Sequence, residues 1–280
     1  MNTSKDPWFK MSLVAVLTIF IAGCGGGGGG GNTATSGSSN QAVGGIWQGQ
    51  YTLNGISVTE IALVTENGEF FAEAKNLSNG CVGLATGSMS STGSNVSGTE
   101  EFSTASYATS PGVTTGCVYP DGSTWGKGTF SGTIAQRSSA TLTFTETTAM
   151  GTALPSVTVN YSFLALYNET SSLAKIAGNW ASPSGDIISI GANGSVFAQD
   201  PATGCVINGN VSIINANYNA YSVSDSYANC QGSAAVLNGL TANGIITLDD
   251  QVSPNQLIGG ATVTLPNGSI IIAIADSTKA

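Results

Sequence analysis

Carboxylates are the main chemical resource of this 280-residue chain, which carries sixteen Asp and Glu against seven Lys and Arg and has no histidine. Without histidine there is no Ser-His-Asp or Cys-His constellation, no histidine-ligated zinc and no imidazole base near neutral pH. Neither Gly-x-Ser-x-Gly nor Gly-x-x-x-x-Gly-Lys occurs. Glu100-Glu101 and Asp249-Asp250 are adjacent, so on a strand their side chains point to opposite faces and do not converge as the carboxyls of a glycosidase must. Glu66 and Glu69 flank Asn67-Gly68. A two-residue turn there sets them opposite each other, a like-charge pair that a hairpin avoids unless a cation relieves it. They are the candidate weak cation site, although calcium takes six or more oxygens. The same register pairs Val64 with Phe71, Ala62 with Glu73 and Glu60 with Lys75. These residues point away from an enzyme, and they imply no cofactor and no metal centre.

The elements that must carry these side chains are strands. Asn-Gly, the strongest short-range hairpin signal, begins at Asn54, Asn67, Asn79, Asn193, Asn208, Asn238, Asn243 and Asn267. Between the turns lie alternating or apolar segments over 60–65, 140–147, 157–166, 221–227, 257–265 and 269–275, rich in Val, Ile, Thr, Tyr and Phe. Most prolines fall at segment edges. About eight strands per unit joined by tight turns favour an up-and-down meander, and closure into a barrel removes exposed edges.

The chain also repeats itself. Gly45-Ile46-Trp47, Asn67-Gly68-Glu69-Phe70-Phe71-Ala72 and Gly80-Cys81-Val82 recur in order as Gly178-Asn179-Trp180, Asn193-Gly194-Ser195-Val196-Phe197-Ala198 and Gly204-Cys205-Val206. The predicted fold is therefore all-β, with two tandem antiparallel barrels over 45–170 and 171–280. Ser171 or Ser172 is placed to cap a short helical turn ahead of the second tryptophan. Inward residues are predicted as Ile61, Leu63, Phe70 and Ala72 in the first copy. In the second they are Ile188, Ile190 and Phe197, one position out of phase, and a one-residue shift turns every side chain to the other face.

The amino terminus has the layout of a secretory signal: Lys5 and Lys10, then an apolar run from Met11 to Ala22 that is shorter than the roughly 20 residues a membrane helix needs. It ends in Ile21-Ala22-Gly23-Cys24, which resembles the lipobox of bacterial lipoproteins. The resemblance implies a signal peptide over 1–23, acylation of Cys24 (palmitate among the chains) and, with Gly25 following, passage to the outer membrane. Two or more acyl chains anchor stably. The segment 24–44 reads as a Gly- and Ser-rich tether. Cysteine parity follows once Cys24 carries lipid. No remaining pair has the two-residue spacing of a zinc site, and the duplication joins Cys81 to Cys117 and Cys205 to Cys230 within their own halves. A hairpin turning in Asn215–Asn219 sets Cys205 opposite Cys230. Gly-x-Trp on a first strand resembles the lipocalin-like, or calycin, barrels, whose tryptophan packs across one barrel end. Gly45, Trp47, Gly178 and Trp180 match it, which implies architecture and no binding residues.

Removal of the leader leaves five basic and fifteen acidic residues, so clustered cations for nucleic acid are lacking. Most aromatics suit barrel core and girdle. Trp125, in Asp121-Gly122-Ser123-Thr124-Trp125-Gly126, reads as a loop aromatic available for contact. The expected protein is a non-catalytic lipoprotein at the cell outer membrane that presents two disulfide-stapled barrels to a protein or glycan partner. The alternatives are a carrier or sensor of a small apolar ligand in a barrel interior, and a hydrolase inhibitor.

Overall fold

The computed structural model describes residues 40–280 except 54, 77–80, 107–116, 183–184, 267 and 275. The leader, Cys24, most of the tether, Tyr107 and the turns at Asn54, Asn79 and Asn267 lie outside the described residues. Two closed eight-strand antiparallel barrels follow one another. The first runs β1 (Gly45–Leu53), β2 (Ile56–Val64), β3 (Glu69–Asn76), β4 (Cys81–Thr92), β5 (Asn95–Ser106), β6 (Trp125–Ala135), β7 (Ser139–Thr148) and β8 (Val157–Leu164). It closes where β1 pairs with β8 from Ile46↔Leu164 to Gln50↔Asn160.

A 3-10 turn over Ala165–Asn168 and the one-turn helix α1 (Leu173–Ile176) lead into the second barrel. Ser172 is the residue before α1, as expected, but its hydroxyl makes no capping bond. The strands are β9 (Gly178–Ala181), β10 (Ile187–Ile190), β11 (Ser195–Gln199), β12 (Val206–Ile213), β13 (Tyr221–Ala228), β14 (Thr241–Asp249), β15 (Gln256–Thr264), β16 (Ile270–Ile274) and β17 (Ser277–Lys279). The last two are one broken strand along β15, and closure comes from β17 against β9 at Thr278↔Ala181.

The repeat survives in atomic detail. Trp47 Nε1 donates to the Val43 carbonyl at 3.2 Å, and Trp180 Nε1 donates to that of Ile176 at 2.8 Å, each reaching four residues back. Both indoles are buried at the start of their barrels. The turns Thr65–Glu69 and Gly191–Ser195 are equivalent too, with Gly68 at φ +85° and Gly194 at φ +86°, a conformation glycine adopts without strain. In each the glycine carbonyl accepts from the next strand, from Met89 N at 2.8 Å and Val211 N at 2.7 Å.

This turn corrects the expected register. Thr65 faces Glu69 across a three-residue loop, so Val64 pairs with Phe70, Ile61 with Glu73 and Thr59 with Lys75. Gly68 in the left-handed conformation adds the residue that a two-residue turn lacks. Phe70 and Ala72 point inward as expected, but in β2 the inward residues are Glu60, Ala62 and Val64, not Ile61 and Leu63. In the second barrel Ile190 and Val196 are buried inside, and Phe197 stands on the outer face, 49% exposed. Two Asn-Gly pairs are not turns, since Asn208-Gly209 lies within β12 and Asn243-Gly244 within β14.

The outer face of β2 is apolar because the barrels pack side by side. Ile46, Leu63, Leu166 and Tyr167 form one buried cluster with Ala220 and Ile245 of the second barrel, with Ile61 packed against it. Full burial of a Leu or Ile is worth about 1.5–3 kcal/mol. Asn219, buried at this junction, donates through Nδ2 to the carbonyls of Leu248 at 2.6 Å and Leu166 at 3.4 Å. Lys75 Nζ lies 3.0 Å from Asp276 of the second barrel and 3.3 Å from Glu73. The packed body begins earlier than composition suggests. Val43 is buried, Gln41 N donates to Gly93 O at 3.0 Å and Gly93 N to Asn40 Oδ1 at 3.0 Å, so residues 40–44 belong to the first barrel and not to the tether.

Candidate functional site

Inside the first barrel an apolar half, built on Trp47, Val64, Phe70, Val96, Phe130 and Leu142, gives way to a layer of acids and tyrosines. Strand register places each member. Glu60 of β2 and Tyr161 of β8 flank Gly49 of β1 in one row, and the Tyr161 hydroxyl reaches over the glycine to donate to Glu60 Oε1 at 2.6 Å. A Cβ on Gly49 would come within 2.8 Å of the Tyr161 ring. The same device recurs across the barrel, where Glu100 of β5 and Glu146 of β7 flank Gly128 of β6. A Cβ on Gly128 would lie 2.6 Å from Glu100 Oε1, so glycine keeps the space the carboxyl occupies. Glu100 also has Gly87 opposite it on β4.

Burial dominates the electrostatics of this layer. It raises the Glu60 carboxyl to about 7 against the lowering effect of the Tyr161 hydrogen bond. Glu100, raised first by burial and then by Glu146 and Glu60, reaches about 9. Glu146 sits at about 7, raised by burial and then Glu60, and lowered by its bond with Glu100. Burial likewise raises the Tyr51 and Tyr119 hydroxyls, followed by neighbouring glutamates in both cases, led by Glu60 for Tyr51 and by Glu146 for Tyr119. Tyr119 packs edge-on to Phe102 at 5.5 Å and is held near the layer by the Cys81–Cys117 disulfide. Glu100 Oε1 is buried without a hydrogen-bond partner.

The remaining space, bounded by the apolar half and by Glu60, Glu100 and Tyr161 of the layer, is about 30 Å³, enough for a water or two and far below the 300–1,000 Å³ of a small-molecule pocket. Among the described residues no three Asp, Glu or Cys converge closely enough to hold a metal ion. The layer can therefore hold and exchange protons, and it has no room for a substrate.

The second barrel has a smaller counterpart. Asp225 on β13 faces Gly209 on β12, and a Cβ on Gly209 would collide with Asp225 Oδ1. Gly209 therefore serves the space beside Asp225 within β12 and not a turn. Burial raises the Asp225 carboxyl to about 6, and its Oδ1 has no partner.

The residues singled out from sequence lie elsewhere. Both expected disulfides are present, Cys81–Cys117 and Cys205–Cys230, each joining the start of a fourth strand to the segment after the fifth. Gly45, Trp47, Gly178 and Trp180 occupy equivalent barrel starts. Trp125 is not a loop aromatic. It opens β6 and is partly buried against Phe71, Val82, Leu84 and Ile270, because β16 of the second barrel packs there. Glu66 and Glu69 do not face each other. Glu66 accepts from the Tyr167 hydroxyl at 3.2 Å and lies 3.9 Å from Arg137, whereas Glu69 is exposed opposite Thr65. Glu100 and Glu101 do diverge as expected, and Glu101 pairs outside with Lys127 at 2.8 Å.

Sequence reasoning missed the acid layer because its acids come from different strands. The available signal was a glycine in register beside each acid, at Gly49, Gly87, Gly128 and Gly209.

On the outer face of the second barrel a shallow groove of about 360 Å³ is lined by Gly185, Asp186, Ile187, Ser189, Phe197, Gln199 and Pro201. Ile187 is 44% exposed and Phe197 49%. No family model and no curated protein matches this chain.

Proposed function

We propose that this protein is an exported lipoprotein, anchored at the outer membrane through acylated Cys24, that binds a protein or glycan partner on its outer surface without catalysing a reaction. The observation that carries this reading is the groove of the second barrel. It sets Phe197 and Ile187 at the surface among Asp186, Ser189 and Gln199, an apolar platform with polar groups at its border. Large exposed apolar groups grouped in this way mark contact surfaces. The filled interior of the first barrel supports the same reading, since an apolar ligand of ordinary size would have to displace core side chains. The leader and the lipobox over 21–24 support the anchor.

Two measurements test it. Labelled palmitate fed to expressing cells is expected to enter the wild-type chain and not Cys24→Ser, and equal labelling would remove the anchor. The full chain in detergent, probed on glycan arrays and on envelope protein fractions, is expected to bind through the groove. Phe197→Ser should abolish that binding while leaving the melting temperature within a degree or two, since exposed substitutions change stability little. Binding unchanged by Phe197→Ser would remove the groove from the mechanism.

A further inference from the structure

The acid layer of the first barrel is an arrangement that the proposed binding reading does not use. Three glutamates from β2, β5 and β7 turn into one closed interior. The charged and titratable groups that face them are Tyr51 from β1, Tyr161 from β8 and Tyr119 from the segment after Cys117. Neither β3 nor β4 supplies a counter-charge, because Lys75 of β3 is drawn outward to Glu73 and Asp276, and β6 directs Lys127 outward to Glu101. Glycines at 49, 87 and 128 hold the room these groups occupy. Glu100 Oε1 lines the small cavity with no partner. The second barrel repeats the plan in reduced form with Asp225 beside Gly209.

We propose that the layer of Glu60, Glu100 and Glu146 makes the first barrel a proton-operated element, closed when the layer holds its protons and loosened at the end covered by Tyr119 when it loses them. A buried carboxyl is tolerated when it is neutral, whereas an unpaired buried carboxylate must be hydrated. Loss of one proton from the Glu100–Glu146 pair leaves a single negative charge shared between two carboxyls. Loss of the second, with Glu60 ionised too, leaves three negative charges and, among the described residues, no cation in the interior. Among the described residues Tyr119 and Phe102 stand at the acid end of the barrel, whereas the opposite half, packed on Trp47, Phe70 and Phe130, leaves only a cavity of about 30 Å³. The sign is that of acids whose native state binds protons more tightly than the unfolded chain. The closed form is favoured at low pH, and the advantage declines from about pH 4.5 until the last acid has ionised, near pH 9.

Two experiments test the device on the full chain in detergent. Carboxyl-labelled glutamate, followed by carbon NMR from pH 4 to 10, is expected to show four resonances titrating above pH 6, one from Glu73 at the barrel junction and three that Glu60→Gln, Glu100→Gln and Glu146→Gln remove one by one. Wild-type protein in which no more than one glutamate, that of Glu73, titrates above pH 5.5 would overturn the proposal without any layer variant having to fold. Hydrogen exchange, corrected for intrinsic rates, is expected to accelerate at least tenfold between pH 6 and 9 at the β1, β2 and β7 amides nearest Tyr119, and not at the corresponding amides of β9, β10 and β15. The triple Gln variant should show no such difference. Equal acceleration in both barrels, or in wild type and triple variant alike, would equally overturn it. Neither readout depends on partner binding.

Discussion

The hydroxyl of Tyr161 donates to Glu60 Oε1 at 2.6 Å across Gly49, joining two residues 101 positions apart in the interior of the first barrel. Among the described residues Tyr161 is the one side chain that hydrogen-bonds the Glu60 carboxyl, which burial otherwise pushes upward. Tyr161→Phe should therefore move the Glu60 titration above its value of about 7. It should also cost about 1–2 kcal/mol of stability at pH 8, where the orphaned acceptor carries charge, and less at pH 5. Carbon NMR of the labelled carboxyl and urea denaturation at the two pH values check both. A titration that moves down would mean the hydroxyl does not stabilise the carboxylate.

Lys75 holds two acids at the junction of the barrels, at 3.0 Å from Asp276 and 3.3 Å from Glu73. Glu73, raised by burial and then by Asp276 and lowered by Lys75, titrates at about 8. Lys75→Met removes the lowering influence, so Glu73 should titrate higher still. The native state then binds its proton more tightly, and the variant should lose more stability at pH 9 than at pH 6. Removing one member of a buried charge group costs about 3–5 kcal/mol, and partial exposure of Lys75 puts the loss at pH 9 toward the lower figure. Equal losses at both pH values in chemical denaturation would show that Glu73 does not change its protonation between them.

Asp225 extends the same logic to the second barrel. Its carboxyl titrates at about 6, above the ordinary 3.8, through burial. The folded state thus gains from the proton, and this contribution fades as pH rises from about 4 through 6. Asp225→Asn should flatten the stability profile over that range and leave the alkaline decline of the first barrel in place. A wild-type profile no steeper than that of the variant would show that Asp225 is solvated.

Asn219 satisfies three backbone groups where the barrels meet: it donates to Leu248 O and Leu166 O and accepts from Leu248 N at 3.3 Å. Asn219→Ala leaves the Leu248 N–H and carbonyl buried without the amide, while Leu166 O keeps the Glu169 N–H at 3.3 Å, at a cost of about 2–3 kcal/mol. Differential scanning calorimetry should show the loss. A change within 0.5 kcal/mol would mean that water takes the place of the amide.

The Cys205–Cys230 disulfide spans 25 residues. Its removal by paired serine substitution should cost about 3 kcal/mol through the restored freedom of the unfolded chain. Guanidinium titration under oxidising conditions reads this directly, and an unchanged midpoint would place the stability of the hairpin in its strand pairing alone.

Much of the architecture is local and was legible. Turn glycines, alternating apolar residues and the repeated Gly-x-Trp and Gly-Cys patterns led to two meandering barrels and to both disulfides, because these depend on backbone preference and on order along the chain. The readings that failed share one cause. Ile61-Ala62-Leu63-Val64 is apolar on both faces, one turned to the barrel interior and the other to the neighbouring barrel, so alternation carried no information about which face was inside. The third loop residue beside Gly68 then moved the register by one position. Trp125 left the surface for the same reason, since β16 of the second barrel covers it.

By itself the amino-acid sequence determined the strands, their turns, the duplication and the pairing of cysteines, all consequences of residue preference and spacing. Only the tertiary structure decided which face of β2 is inside, where Glu60, Glu100 and Glu146 meet, and that Phe197 stands in the open. Those outcomes depend on strands far apart in sequence closing into one barrel and on two barrels burying each other's sides, and no local preference encodes either contact.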